Sequence, residues 1–514
     1  MKIFSNVITS SISDGIITVL LAVLLVASFL FAVRYFAVSM SKIKENCLYV
    51  RGTSAKNALY IILAVALAVR LILSLFVRGY RGSMGTINYE LNGYYEFYQA
   101  VKIILDGGFG GLYSYSMTLF PLPAYILSGF ASLAKLLGVW NINSVLVQFL
   151  LKLPMCLCDL GSAYLLYRIA SKYVNAHVGL VAAAMFAFCP IFLLGSAISV
   201  SVYPMLILCL LLTFYFMVQK NYVMTLISFA LAMLVSAESL FLLPVVAVFI
   251  IFNYVKTLKK YNEEKQVEIK KSLIVLPCVL VLTLVGAYLI SLPYFVKDFG
   301  VSPFKMINML YIKPFNKAVY FAFNSLSVYN IFNRNGARMD SDFPSYLFTI
   351  AFFIIAIVIT VIIYASKRNR AMLVMLASYV CITLSIYMIG MNELSVLPAL
   401  ATLIMAFILI RDKRLLKVLA VYSVIVFVNY MFVMIDAGFL SNANNRAFAS
   451  VAYDGNAVLL SEGIGKIINI VCSVIAILTH LYYTSVLLDV SLSDKRKLLD
   501  EENSFGATIK SWLF

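Results

Sequence analysis

The chain carries 514 residues, 63% of them apolar and only 12% charged, with a mean hydropathy of +0.96. No water-soluble domain of this length sustains that composition, so lipid must be its solvent. The formal charge of +17 is not a nucleic-acid footprint, because Lys and Arg gather in short clusters between apolar runs, where they set membrane orientation.

In chain order, the first apolar run covers 15–38; it is too long for a signal-peptide core and lacks a small-residue cleavage site, so it reads as a retained span. A clear span follows at 57–76, then a long polar stretch, a moderately apolar piece at 121–138 and a clear span at 145–167. Runs near 178–196, 204–219, 222–237, 239–255, 272–293, 344–366, 371–390, 395–411, 415–436 and 465–489 complete the series. The expectation is an all-α polytopic membrane protein of about 13 transmembrane helices. Lys42, Lys44, Arg51 and Lys56, the basic stretches 256–271, 411–417 and 495–497, and Lys367, Arg368 and Arg370 all belong in the cytoplasm. An even number of crossings must then separate any two patches, and three crossings between Lys56 and Arg168 would put Arg168 and Lys172 outside. The 121–138 piece, opening on Pro121 and Pro123 and containing Lys135, is therefore expected along the outer interface. This scheme places the amino terminus outside and the carboxyl terminus inside; the absence of any N-x-S/T sequon leans toward a bacterial cell membrane.

Eight cysteines are scattered, all but Cys47 inside apolar runs, and read as small buried hydrophobes. Cys156 and Cys158 have no second pair or nearby His to complete a four-ligand site, so no metal is expected. Three long segments fall outside, at 77–142, 293–343 and 436–463, long enough to carry function. The first holds Glu90, Glu96 and Asp106 with Tyr89, Tyr94, Tyr95, Tyr98, Tyr113 and Tyr115, either a sugar-stacking wall or, more commonly, an interfacial aromatic belt. The second holds Arg334, Arg338, Asp340 and Asp342. Lys152 and Asp159 lie seven residues apart on one face of a predicted helix. Lys152 is near enough to the outer end to snorkel, and Asp159 reads first as a structural polar contact. His177 and His480 fall near the cytoplasmic ends, away from any outer site.

Several stretches carry recognisable motifs without gaps. Asp106-Gly107-Gly108 with Leu112-Tyr113 is similar to G-G-x-x-x-F-Y, and 121–125 to a worn D-Y-P-P-G-Y. Residues 151–154, Asp159 and 167–170 resemble I-K-L-P, A-D-L and Y-R-I-A-R; 190–208 keeps the spacing of N-P-x-x-x-x-x-S-x-x-W-G-Q-V-D-S. Ser327-Val328-Tyr329-Asn330 resembles N-A-F-N, and 391–400 resembles M-H-E-R-Y-L-F-P-A-L. Together these stretches resemble the GT-C superfamily of polytopic glycosyltransferases, and within it bacterial relatives of the GPI mannosyltransferase II type. The charged positions depart most. Phe120 stands for the aspartate of D-Y-P-P, Ser201 and Tyr203 for the Gln and Asp of Q-V-D-S, and 235–238 replaces T-K-P-Q without its lysine. In M-H-E-R-Y, Asn392, Leu394 and Ser395 stand for His, Arg and Tyr, leaving Glu393 as the one surviving charged position.

The resemblance spans 57–436, with an extra span and cytoplasmic linker at 1–56 and an outer loop, last span and cytoplasmic tail at 437–514. It implies a GT-C-like membrane core whose long outer first loop contains interfacial helices, and a polyprenyl-phosphate-linked sugar as donor substrate. Such transfer needs a carboxylate to take the acceptor proton and donors to hold the departing phosphate. Glu96, Glu393 and Glu90 are the candidate catalytic carboxylates. Arg334, Arg338, Tyr329, Asn330, Asn392, Glu238 and Tyr125 are the candidate substrate-binding residues. Each carboxylate also reads as an ordinary solvated or paired group, and each arginine as a headgroup contact. Three functions stay open: a surface-glycan transferase, an inactive relative binding a lipid carrier or partner enzyme, and a lipid-linked sugar flippase. The last would call for internal repeats or broken helices with ionisable residues at the midplane; the sequence shows no convincing repeat and few glycine-interrupted spans with central charges, so it ranks last. Expected partners are membrane lipids, a lipid-linked sugar and glycan-assembly proteins, not nucleic acid.

Overall fold

The computed structural model describes residues 12–41, 52–76, 80–81, 89–90, 94–115, 119–141, 144–265, 267–312, 321–337, 343–367, 369–439, 451–453, 457–460 and 463–492. Among these, nine helices are long and apolar enough to cross a membrane; Ala176–Ala187 and Pro190–Ile198, bent by 54° at their junction, make a tenth if taken as one broken span. The protein is an all-α, multi-pass membrane protein. Runs expected as crossings at 204–219, 222–237 and 395–411 form the shorter helices Tyr203–Val218, Tyr222–Met233 and Leu397–Ile410. Two of these carry proline in the first turn, Pro204 and Pro398, where a missing N–H costs no helical bond, and the chain ahead of each is irregular.

Burial sorts the spans into inner and outer members. Arg370–Tyr387 has 89% of its apolar window enclosed by protein, whereas Ile269–Val296 has none. Both are apolar all round, since lipid and protein interior make the same demand on a side chain, and hydropathy alone does not separate them. The tightest hairpin joins Val145–Tyr173 to Ala176–Ala187. Asn175 caps the second helix through the Val178 amide at 2.8 Å, and a Cβ on Gly179 would lie 2.9 Å from the Tyr167 carbonyl oxygen, so only glycine fits there.

The first long segment folds into helices Tyr94–Gly107 and Pro121–Leu136, linked by the 3-10 turn Phe109–Tyr115. Gly108, at φ +78°, lets the chain leave the first helix. Lys135 reaches back to Asp106 at 3.1 Å. Two tyrosines of the cluster read as a stacking wall or an interfacial belt pack inward instead: Tyr98 stacks on Trp140 at 4.8 Å, and Tyr113 on Phe295 at 4.6 Å, both buried.

Short strands draw the three long segments together. β1 (Tyr80–Arg81) and β2 (Tyr89–Glu90) of the first join β5 (Val451–Tyr453) and β6 (Ala457–Leu459) of the third in the order β1-β2-β6-β5, with β2 and β6 parallel. β3 (Ala322–Phe323), from the second, runs parallel to β4 (Met391–Asn392), pairing Phe323 with Asn392. Asn324 fastens this junction: its Oδ1 accepts from the Leu460 amide at 2.8 Å and its carbonyl from Asn429 Nδ2 at 2.6 Å, while Asn335 Oδ1 accepts from its amide at 2.8 Å.

Candidate active site

Residues from three separate motifs converge on one hydrogen-bonded group. Tyr203 begins its helix; the phenolic oxygen lies 2.7 Å from Glu238 Oε1, 3.0 Å from Asn392 Oδ1 and 3.1 Å from Ser395 Oγ. Ser395 Oγ is also 3.3 Å from Glu238 Oε1 and 3.1 Å from Asn392 Oδ1. A phenol has one proton, and the carboxylate is the strongest acceptor within reach of it. Asn392 Oδ1 is held in place by accepting the Leu394 amide at 3.0 Å, and Ser395 Oγ accepts the Asn392 amide at 3.1 Å.

Local chemistry explains each position. Glu238 stands in the 3-10 turn Ala237–Leu242, and its amide donates to Ser236 Oγ at 3.3 Å. The turn just before it is a docking point: the Leu122 amide donates to the Leu234 carbonyl at 3.1 Å, and Tyr311 Oη donates to the Met233 carbonyl at 2.8 Å. The first and second long segments thus both rest beside Glu238. Asn392 is aligned by the β3–β4 pairing, and Tyr203 by the preceding serines, since Ser199 and Ser201 hydroxyls donate to the Gly195 carbonyl at 3.1 and 2.9 Å.

Tyr203 and Ser395 are buried, whereas Glu238 and Asn392 are half-buried. The Tyr203 and Ser395 contacts both fall on Glu238 Oε1, and Oε2 has no hydrogen-bond partner among the described residues. The group holds two hydroxyl protons against more acceptor positions than they can fill, so it is suited to receive hydroxyl donors.

The other residues expected at a site distribute unevenly. Glu393 follows Asn392 directly and is buried. Arg334 is exposed, and its guanidinium lies 4.5 Å from the ring of Phe321, the residue just before β3. Tyr125 donates to the Ile290 carbonyl at 3.0 Å and packs against Phe109 and Tyr294. Tyr329 is buried and donates to the Tyr387 carbonyl at 3.3 Å. Asn330 Nδ2 meets the Ser325 carbonyl, Asn469 Oδ1 at 2.6 Å and Ser473 Oγ at 2.9 Å, which ties the second segment to the last span. Glu96 lies in the first turn of Tyr94–Gly107 and Glu90 in β2, but their side chains, and all of Arg338, fall outside the described residues.

A second polar group sits deeper. Arg70 and Asp159 are almost completely enclosed, with Nη2 3.0 Å from Oδ2, and Arg70 also meets Ser196 Oγ at 3.3 Å and the Ala187 carbonyl at 2.8 Å. The sequence shows Asp159 but not its partner, because one arginine inside an apolar run is indistinguishable from an interfacial anchor. Lys152 is fully enclosed as well, so the expected snorkelling does not occur: neighbouring helices cover it.

Residues 120–289 match a family model described as dolichyl-phosphate-mannose-protein mannosyltransferase. The match supports the GT-C superfamily. It covers about a third of the chain and includes Tyr203 and Glu238, whereas Asn392 and Ser395 lie beyond it. A search of curated proteins finds no match. Motif by motif, Tyr203 and Ser395 stand only as departures from the GT-C pattern. The signal pointing to them is that departures in three separate motifs fall at positions that meet in space.

Proposed function

We propose that this protein is a membrane glycosyltransferase of the GT-C type, in which Glu238 receives the proton of an acceptor hydroxyl. The observation that carries the reading is a half-buried carboxylate with one oxygen fixed by Tyr203 and Ser395 and the other without a partner among the described residues. In the proposed step the acceptor oxygen bonds to the anomeric carbon, its proton passes to Glu238, and the sugar–phosphate bond breaks with its electron pair leaving on the phosphate. Tyr203 and Ser395 keep the carboxylate oriented, and Asn392 Oδ1 accepts a second sugar hydroxyl. Arg334 is the proposed phosphate contact, being exposed and next to Asn335, which bridges to Ala322 of β3. Glu393, Glu96 and Glu90, the carboxylates expected from the sequence to take that proton, are kept as alternative catalytic carboxylates, and Tyr125 as a substrate contact. Tyr329 and Asn330 are assigned to holding the junction rather than the sugar. The donor is a polyprenyl-phosphate-linked sugar and the acceptor a surface glycan at the outer face of the cell membrane, in the manner of the GPI mannosyltransferase II type.

A second reading, an inactive relative that binds a lipid carrier or a glycan-assembly partner, draws on a specific observation. Tyr203 and Asn392 replace the Asp and His of the resembled motifs, and the Tyr203 hydroxyl stands within bonding distance of both Glu238 and Asn392, closing the group on itself. Mass spectrometry of lipid-linked and surface glycans in a deletion strain separates the two. Wild type restoring a glycan that an equally expressed Glu238→Gln variant does not restore, with one sugar-charged carrier accumulating, supports the transferase. Equal rescue by Glu238→Gln removes Glu238 from catalysis and favours the second reading.

A further inference from the structure

The broken span leaves backbone groups without helical partners at its bend. Pro190 supplies no N–H, and the helix Ala176–Ala187 ends just before it, so its terminal carbonyls must find donors where no water is at hand. Arg70 meets that need. Its Nη1 donates to the carbonyl of Ala187, the last residue of the first half, at 2.8 Å, and its Nε reaches Ser196 Oγ of the second half at 3.3 Å. One guanidinium therefore grips both sides of the 54° bend. A cation at a helix carboxyl end is also favoured by the helix dipole. Asp159 holds the guanidinium from the far side, with Oδ2 3.0 Å from Nη2 and 3.3 Å from Nε. Ser74, one turn along the Arg70 helix, donates to the Ala197 carbonyl at 3.2 Å, so that helix fastens the second half twice.

The gripped segment leads straight to the site. Residues 194–198 form a π-helical turn, the Gly195 carbonyl accepts the Ser199 and Ser201 hydroxyls, and Tyr203 follows two residues later. Gly195 also packs so closely on the helix Leu397–Ile410 that an added Cβ would stand 3.2 Å from Leu397 Cδ1. The bend therefore sets where Tyr203 stands relative to Glu238 and Ser395.

We propose that Arg70 is a positioning residue: with Asp159 it clamps the broken span at its bend and thereby sets Tyr203 in hydrogen-bonding register with Glu238. Only the activity arm of its test rests on the glycosyl-transfer reading. An ion pair that merely fills space can be replaced by apolar side chains of similar volume without loss of stability. The same replacement releases a clamp even where stability is kept, because Met and Leu offer no donor to the Ala187 carbonyl.

The experiment uses the full-length protein in lipid nanodiscs and compares wild type, Arg70→Lys and the double variant Arg70→Met/Asp159→Leu. Hydrogen exchange of 194–202, the unfolding midpoint and glycan product per folded molecule are read together. The double variant is expected to keep its midpoint, to exchange about tenfold faster at 194–202 with Arg370–Tyr387 unchanged, and to lose product. Arg70→Lys, which retains the charge but not the paired donors, is expected to fall between it and wild type. Should the double variant fail to fold, Arg70→Lys decides alone: faster exchange confined to 194–202 supports the clamp, and wild-type exchange overturns it. Unchanged exchange with unchanged product in a folded double variant also overturns it. If wild type itself yields no product, the glycosyl-transfer reading fails while the exchange comparison still decides the clamp.

Discussion

Two polar groups lie within one helical bundle and differ in how far solvent reaches them. The Arg70–Asp159 pair is shut away from solvent, and its guanidinium is occupied by a carboxylate, a hydroxyl and two carbonyls, while Asp159 Oδ1 has no hydrogen-bond partner among the described residues. The Tyr203–Glu238–Asn392–Ser395 group is half-open and has acceptors to spare. Enclosure makes the first a determinant of shape. Spare acceptors at an accessible carboxylate make the second, in the proposed reading, a place where a substrate hydroxyl is recognised. Removing one partner of the enclosed pair should therefore move stability first, and substitutions in the open group activity first.

The largest separation is expected from single truncations. Asp159→Leu leaves Arg70 charged and enclosed, and should destabilise the fold by about 3–5 kcal/mol, seen as a lower unfolding midpoint. Glu238→Gln should lower product formation by about 100-fold or more while leaving the midpoint near wild type; a large fall in the midpoint would erase the distinction between the groups. Tyr203→Phe removes one charge-assisted bond from Glu238, for which about tenfold in product formation is expected with little change in stability, measured by the same two readouts. Gly179→Ala, in the hairpin that follows the Asp159 helix, meets the Tyr167 carbonyl and should cost about 1–3 kcal/mol in stability without altering activity per folded molecule. Smallest of all, Lys135→Ala breaks an exposed ion pair with Asp106 and should change stability by less than about 1 kcal/mol.

How much of the molecule is legible in its sequence depends on what each feature rests on. Apolar run length locates the helices, because crossing a membrane requires it, and Pro121 together with Gly138 brackets the helix that runs Pro121–Leu136. Composition over-extends Tyr222–Met233 and Leu397–Ile410, because an enclosed helix and a spanning one share it, whereas the 204–219 run matches Tyr203–Val218 in length. Glu238, Asn392 and Glu393 are legible as polar residues at run ends. Tyr203 and Ser395 are not, since a tyrosine beside a proline and a serine before a valine carry no chemistry until Glu238 is brought to them from another motif. Arg70 is hidden for the same reason: its meaning lies in Ala187 and Ser196, far away in sequence.

The hydrogen bond between Ser395 and Glu238 joins residues 157 positions apart. On a ribosome adding about 5–20 residues per second, Glu238 enters the membrane roughly 8–30 s before Ser395 and Asn392 are made. Until then Tyr203, synthesised earlier, is the one member of the group on hand to shield the carboxylate. Timing thus predicts a second duty for Tyr203, as escort of a costly acidic group through insertion. Variants at this residue should be scored for yield during synthesis as well as for the behaviour of the finished protein.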